Sequence, residues 1–165
     1  MAYYGDLTMK LSTKSRYGLR AIFDIAYHAG GLPTQIKEIS KRQGVTPRYL
    51  EQIFQKLKEA GLIKSIRGPK GGYYLAREPE KISVAEVIWA VEETIDPVFC
   101  ASRSKKKSNK KKCKREKNCV ARLIWQEAGQ LLNQYFSSIS IAQMCQRAQE
   151  MGIEKQLDHR FMYFI

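Results

Sequence analysis

Apolar residues recur at helical spacing through the first part of the chain. Residues 12 to 29, "STKSRYGLRAIFDIAYHA", align Tyr17, Ala21, Ile25 and Ala29, with Leu19, Ile22, Phe23 and Ala26 widening the stripe. Ser12 or Thr13 suits the cap of this helix, and Gly30–Gly31 stops it. In "TQIKEISKRQG" Ile36 and Ile39 share a face, Thr34 is a candidate cap and Gly44 the break. "TPRYLEQIFQKLKEAG" repeats the pattern with Leu50, Ile53, Phe54 and Leu57; Thr46 caps it, Pro47 occupies the first turn and Gly61 ends it.

The period then changes. "LIKSIRG" and "GGYYLA" are short β-prone runs joined by Gly68, Pro69, Lys70, Gly71 and Gly72. Two helices joined by "QGVT" and followed by a hairpin predict a winged helix-turn-helix, in which the second helix of the pair enters a DNA major groove and the wing reaches the backbone or minor groove. "KISVAEVIWAVEET" reads as a further helix that covers the winged unit, with Ser83 as cap and Glu86 three positions on. Asp96–Pro97 breaks it. From Val120, "VARLIWQEAGQLLNQYFSSI" is helical again, with Leu123, Ile124, Ala128, Leu131, Leu132 and Tyr135–Phe136 forming a broad apolar seam. A second copy of the chain is the economical way to bury it, because two-fold dimers suit palindromic DNA. "SISIAQMCQRAQEMG" predicts a short helix capped at Ser138 or Ser140, and the apolar end, "DHRFMYFI", suits packing on the dimer core or docking of a partner. The fold class is therefore mainly α: a winged helix-turn-helix domain plus a long dimerisation helix.

Charge sharpens the picture. The 165-residue chain carries 29 Lys and Arg against 16 Asp and Glu, a net +13, with an ordinary hydrophobic fraction of 44%. Such an excess favours a polyanionic partner, and double-stranded DNA fits the pattern above. Polar residues outside the apolar stripe supply the candidate reading surface: Thr46, Arg48, Tyr49, Glu51, Gln52, Gln55 and Lys56. Arg48 and Lys56 suit phosphates, Gln52 a base edge, and Glu51 a cytosine amine. Arg67 and Lys70 flank the wing turn and rank above any single helix residue as contacts, since basic side chains there supply salt-dependent attraction.

No apolar run is long enough to span a membrane, and "MAYYGDLTMKLSTK" lacks the apolar core and cleavage site of an export signal, so a cytoplasmic location is expected. Met9, followed by Lys10, offers an alternative start that leaves residues 1–8 as a loose extension. An enzyme is disfavoured. The chain has no nucleotide-binding glycine fingerprint and no acid–base pair beside its thiols.

Those thiols are concentrated in "VFCASRSKKKSNKKKCKREKNCV", residues 98 to 120, which holds three of the four cysteines and ten basic residues against one acid, Glu116. Cys100, Cys113 and Cys119 follow the spacing C-x12-C-x5-C. Thiolates suit iron or zinc, and the surrounding positive charge would offset a cysteine-ligated iron–sulfur centre. Free or redox-active thiols, inert cysteines and a basic loop gripping phosphate are the competing readings. Cys145 reads as a small, partly buried side chain, and His28 as a surface or capping residue.

Three stretches together, "LSTKSRYGLRAIFDIA", "ISKRQGVTPRYLEQIFQKLKEAGLIKSIRGPKGGYYLA" and "ISVAEVIWAVEE", resemble the bacterial Rrf2-type winged-helix regulators, the family of IscR, NsrR and CymR. The likeness runs from about Met9 to Gln143 and is nearest in pattern to the iron–sulfur IscR-like branch. It implies a dimeric DNA-binding transcriptional regulator, with the helix after the cysteine loop as dimerisation element and Arg48, Glu51 and Arg67 at the DNA surface. It also implies that Cys100, Cys113 and Cys119 hold an iron–sulfur cluster, 2Fe–2S in preference to 4Fe–4S. The chain departs from the family where its lysine-rich insert lengthens the first cysteine gap. It departs again where some members carry a histidine and this chain has Arg122, and where others carry an acid and it has Arg16. His28 and His159 are weaker ligand candidates. CymR-like members lack the triad and act with a partner enzyme, so three cysteines set this chain apart from that branch.

The resulting division is 9–80, winged helix-turn-helix; 81–97, a helix packing on it; 98–119, a basic cluster-binding loop; and 120–165, the dimerisation helix and C-terminal segment. The alternative keeps the regulator without a cluster, sensing thiol oxidation, a small molecule or a partner protein. A protein–protein adaptor built on the winged fold is the remaining reading.

Overall fold

A computed structural model describes residues 12–92, 95, 97–98 and 118–156. Six α-helices and one two-stranded sheet lie within them, in the order α1 (Thr13–His28), α2 (Ile36–Gln43), α3 (Pro47–Glu59), β1 (Ile63–Ile66), β2 (Gly72–Leu75), α4 (Val84–Glu92), α5 (Val120–Ser137) and α6 (Ile141–Glu150). The order confirms the winged helix-turn-helix with a long following helix. Residues 1–8, Cys100, Cys113, His159 and the terminal "DHRFMYFI" lie outside the described residues.

Local chemistry accounts for the helix boundaries. Ser12 caps α1, its Oγ accepting from the Lys14 and Ser15 amides. Thr46 caps α3 through the Tyr49 amide, with Pro47 at the first turn where its missing N–H costs nothing. Ser140 and Gln143 form a reciprocal capping box on α6, and Ser83 and Glu86 exchange the same pair of bonds at the start of α4. Gly44 closes α2 in the left-handed conformation (φ 62°), which a side chain would resist.

Helix α1 runs through the middle of the fold. Ala21, Ile22 and Ile25 meet Ile39 of α2, Leu50, Ile53, Phe54 and Leu57 of α3, and Val87 and Val91 of α4 in one buried cluster. Gly18 lets α4 approach closely, for a methyl there would sit 3.2 Å from Val91. A second, smaller cluster joins Val84, Ala85 and Ile88 of α4 to Ile139, with Leu132 and Phe136 of α5 packed on its edge. That edge is most of what α5 buries: Gly129 alone among its residues is fully covered, while Leu123, Ile124 and Leu131 are each more than half exposed.

Two local expectations change. Thr34 does not cap α2; Gln35 holds the cap position without a side-chain bond. Thr34 is instead buried and extended, and its backbone bridges to Tyr73 of β2, adding a one-residue third rung to the wing. His28 is neither on the surface nor a helix cap but buried, and its Nδ1 accepts the amide of Gln156, a residue outside the helices, at 3.0 Å. Beside it the Tyr27 hydroxyl donates to the Ile153 carbonyl at 2.6 Å, so the end of α1 holds the segment that follows α6. Cys145 is partly buried against the core, as expected, and burial pushes its thiol pKa up.

Candidate nucleic-acid interface

Helix α3, the candidate reading helix, has one face in the core and one in solvent. Leu50, Ile53, Phe54 and Leu57 are buried, and the alternating positions Thr46, Arg48, Glu51, Gln52 and Gln55 are exposed. Helical spacing puts Arg48, Glu51, Gln52 and Gln55 on neighbouring turns of that outer face. Gln55 bonds Glu59 one turn on. Arg48, Glu51 and Gln52 make no side-chain hydrogen bond or ion pair among the described residues, and neither does Arg67.

Two predicted contacts are placed differently. Tyr49 is half-buried, its ring edge-on to Tyr17 of α1 with centroids 5.8 Å apart. The Lys56 ammonium donates to the Val91 carbonyl at 3.0 Å, closing the last turn of α4. Both tie α3 to its neighbours.

The wing stands beside this face. β1 and β2 pair antiparallel from Ile63 with Leu75 to Ile66 with Gly72, leaving Arg67 and Lys70 exposed at the turn. Tyr73 packs on Phe54 with centroids 4.5 Å apart, and burial, reinforced by the Glu51 carboxylate, pushes its phenol pKa up. Reading helix and wing base are therefore in electrostatic reach of each other.

A polar network sets the turn between α2 and α3. Asp24, fully buried on α1, receives Arg42 Nε at 3.1 Å and Nη2 at 2.6 Å, and Gln43 Nε2 at 2.7 Å. Arg20, one turn earlier, donates through Nε to Gln43 Oε1 at 2.9 Å and through Nη2 to the Gln43 carbonyl at 2.7 Å. Its guanidinium also lies 5.3 Å from the Tyr17 ring centroid. Ser40 Oγ donates to the Val45 carbonyl across the turn at 2.6 Å. Sequence reading missed this network; an acid at position 24, inside an apolar stripe and seven residues after Tyr17, was the available signal.

Of the three candidate cluster ligands, Cys119 is described. It stands at the start of α5, half-buried, without a disulfide, and its side chain does not cap the helix. A soft sulfur at a helix start that makes no cap bond suits an iron ligand. Among the described residues no three His, Cys, Asp or Glu side chains gather as a metal site. Arg122 lies one turn into α5, and Arg16 is exposed with its guanidinium 5.1 Å from the Tyr17 ring centroid. Neither described position thus offers a fourth ligand. No helix among the described residues is long and apolar enough to cross a membrane.

The chain is similar to known regulators along most of its length. The profile of the Rrf2 family, described as an iron-dependent transcriptional regulator, matches residues 11–147. The HTH-type transcriptional regulator IscR of Photorhabdus laumondii is 34% identical over 92% of this chain and 88% of that protein. IscR of Aliivibrio salmonicida is 38% identical over 82% and 77%. Among solved structures, IscR of T. potens matches with a TM-score of 0.71 and 34% identity, covering 97% of this chain and all of its own. CymR, the global cysteine regulator of B. subtilis, matches at 0.66 and 30% identity, covering 84% and 97%.

Proposed function

The chain belongs to the Rrf2 family of DNA-binding transcriptional regulators, and we propose that it binds operator DNA as a homodimer under the control of an iron–sulfur cluster. The observation that carries the reading of the interface is the row of exposed polar groups on α3 beside the basic wing. Arg48 and the wing's Arg67 and Lys70 meet phosphates or groove edges, Glu51 accepts from a cytosine amine, and Gln52 bonds a base edge. Thr46 and Tyr49 set the helix start. Lys56 steadies the helix from behind through Val91.

Homodimerisation is supported by α5. Val120, Ile124, Leu131 and Tyr135 recur along one side of the helix, and each is at least 56% exposed in the single chain. A continuous apolar stripe left in water is a strong incentive for association. Residues 9–80 then read DNA, 81–97 connect, 98–119 sense and 120–165 pair the two copies.

Cys100, Cys113 and Cys119 are the proposed ligands of a cluster, 2Fe–2S in preference to 4Fe–4S. When bound, it would supply a redox- and iron-sensitive link within the basic loop. Cys119 is the first residue before α5, and α5 packs on α4 through Leu132 and Phe136. A ligand fixed at Cys119 thus biases where α5 begins, and with it the spacing of the two reading heads.

Anaerobic purification, iron and sulfide analysis, and DNA binding of the same sample test the proposal. Iron with sulfide, and an operator affinity that changes between the holo form, the apo form and Cys113→Ala at fixed salt, is the expected result. Identical affinity in all three removes the cluster from control. Operator binding without iron favours a regulator sensing thiol oxidation, a small molecule or a partner protein.

A further inference from the structure

We propose that Arg20 is a positioning residue for operator recognition, acting through Gln43 on the start of the reading helix without touching DNA. The inference rests on the proposed operator binding by α3.

Tyr17, Arg20 and Asp24 fall at i, i+3 and i+7 on α1, so one face of that helix confronts the helix-turn-helix. Gln43, the last residue of α2, is gripped from both ends. Its Oε1 accepts from Arg20 at 2.9 Å and its Nε2 donates to the buried Asp24 at 2.7 Å, so turning the amide over would break both bonds. Arg20 also holds the Gln43 main-chain carbonyl at 2.7 Å, a group that the end of a helix leaves without an intrahelical donor. Only Gly44 and Val45 separate this residue from Thr46, the cap of α3.

The two ends of α3 are anchored differently. Its later half is pinned by Phe54 and Leu57 in the core and by the bond from Lys56 to Val91. Its first turns carry Arg48, Glu51 and Gln52; Leu50 seats them in the core, while their direction is set by the turn from α2 and the Tyr49–Tyr17 contact. Arg20 serves both supports, since its guanidinium bonds Gln43 and stacks near Tyr17. Loosening it frees the end of the helix that reads bases and leaves the core alone.

An exposed arginine near a DNA-binding face invites the simpler reading of a phosphate contact. The geometry points elsewhere, because Nε and Nη2 are both committed to one glutamine. A positioning role and a phosphate contact differ in salt dependence. Each lost phosphate contact lowers the slope of log affinity against log salt by about one.

The test compares the unaltered protein with Arg20→Gln and Arg20→Lys. The probes are a duplex selected by the unaltered protein from random-sequence DNA, and poly(dI-dC). Both variants are expected to lose roughly fivefold in affinity for the selected duplex, the scale of one charge-assisted hydrogen bond shared among several supports. Binding to poly(dI-dC), the salt slope and the urea midpoint stay at the unaltered values. Arg20→Lys fails to rescue because an ammonium cannot bond the amide and the carbonyl in the same fork. Three outcomes overturn the inference: unchanged affinity for the selected duplex; a slope reduced by about one in Arg20→Gln and restored in Arg20→Lys; or an affinity loss matched by a fall in the urea midpoint. If the unaltered protein selects no duplex, the operator-binding reading itself fails, and this inference with it.

Discussion

Thr34 and Tyr73 exchange two backbone hydrogen bonds of 2.8 Å, one in each direction. The pairing fastens the wing to the entrance of α2. It also brings the Thr34 backbone against Gly72.

A methyl group at Gly72 would overlap the Thr34 carbonyl and its neighbouring backbone atoms, which cannot swing aside as a side chain can. Gly72→Ala is expected to destabilise the fold by about 1–3 kcal/mol, the scale of overpacking. Urea denaturation measures the loss. Backbone amide exchange at Tyr73, donor to Thr34, should accelerate in the same variant.

Asp24 is fully buried and Arg42 nearly so, 0% and 9% exposed at their side chains. Removing one partner leaves an uncompensated charge in the interior. Asp24→Ala is expected to cost on the order of 3–5 kcal/mol in chemical denaturation. Asp24→Leu with Arg42→Met should cost clearly less, because no orphaned charge remains. Equal losses in the two proteins would mean that packing, not the pairing of charge, sets the value of the site.

Burial holds the His28 pKa below the ordinary histidine value; Asp24 pulls it up, and Arg42 and Lys155 push it down. The sign follows from linkage. Below about pH 6.5 the unfolded chain takes up a proton that the folded ring resists, so this contribution is complete above that pH and is lost as pH falls. Protonation also turns Nδ1 from acceptor to donor, which breaks the bond from the Gln156 amide. His28→Gln is expected to show a flatter stability profile between pH 7 and pH 5 than the unaltered protein. Faster exchange of the Gln156 amide on acidification, seen by NMR, would accompany it.

The stripe of Val120, Ile124, Leu131 and Tyr135 yields the prediction for assembly. Ile124→Glu with Leu131→Glu should convert a dimer to a monomer in light scattering, with little change in helical circular dichroism, because both positions are exposed in the single chain. A monomeric unaltered protein, or a variant that stays dimeric, would contradict the role given to α5.

What the sequence made legible was whatever depends on local rules. Thr46 with Pro47, Ser83 with Glu86, and Gly44 signalled helix ends because capping and left-handed turns are decided within a few residues. The apolar period placed Leu50, Ile53, Phe54 and Leu57 inward and left Arg48, Glu51 and Gln52 outward for the same reason. Contacts between distant residues stayed hidden. Thr34 looked like a cap because its pairing with Tyr73 spans 39 positions, and His28 looked superficial because its partner, Gln156, lies 128 residues away. Lys56 read as a phosphate ligand from its charge alone, with nothing local to reveal the Val91 carbonyl in front of it.

The most direct measurement of the central claim is a quantitative DNA-binding titration with stoichiometry, on the unaltered protein and on Arg67→Ala, over a range of salt concentrations. Two chains per selected duplex, preference over random DNA, and a salt slope lowered by about one in Arg67→Ala are the predicted results. One chain per duplex, or equal affinity for every sequence at moderate salt, would contradict the account.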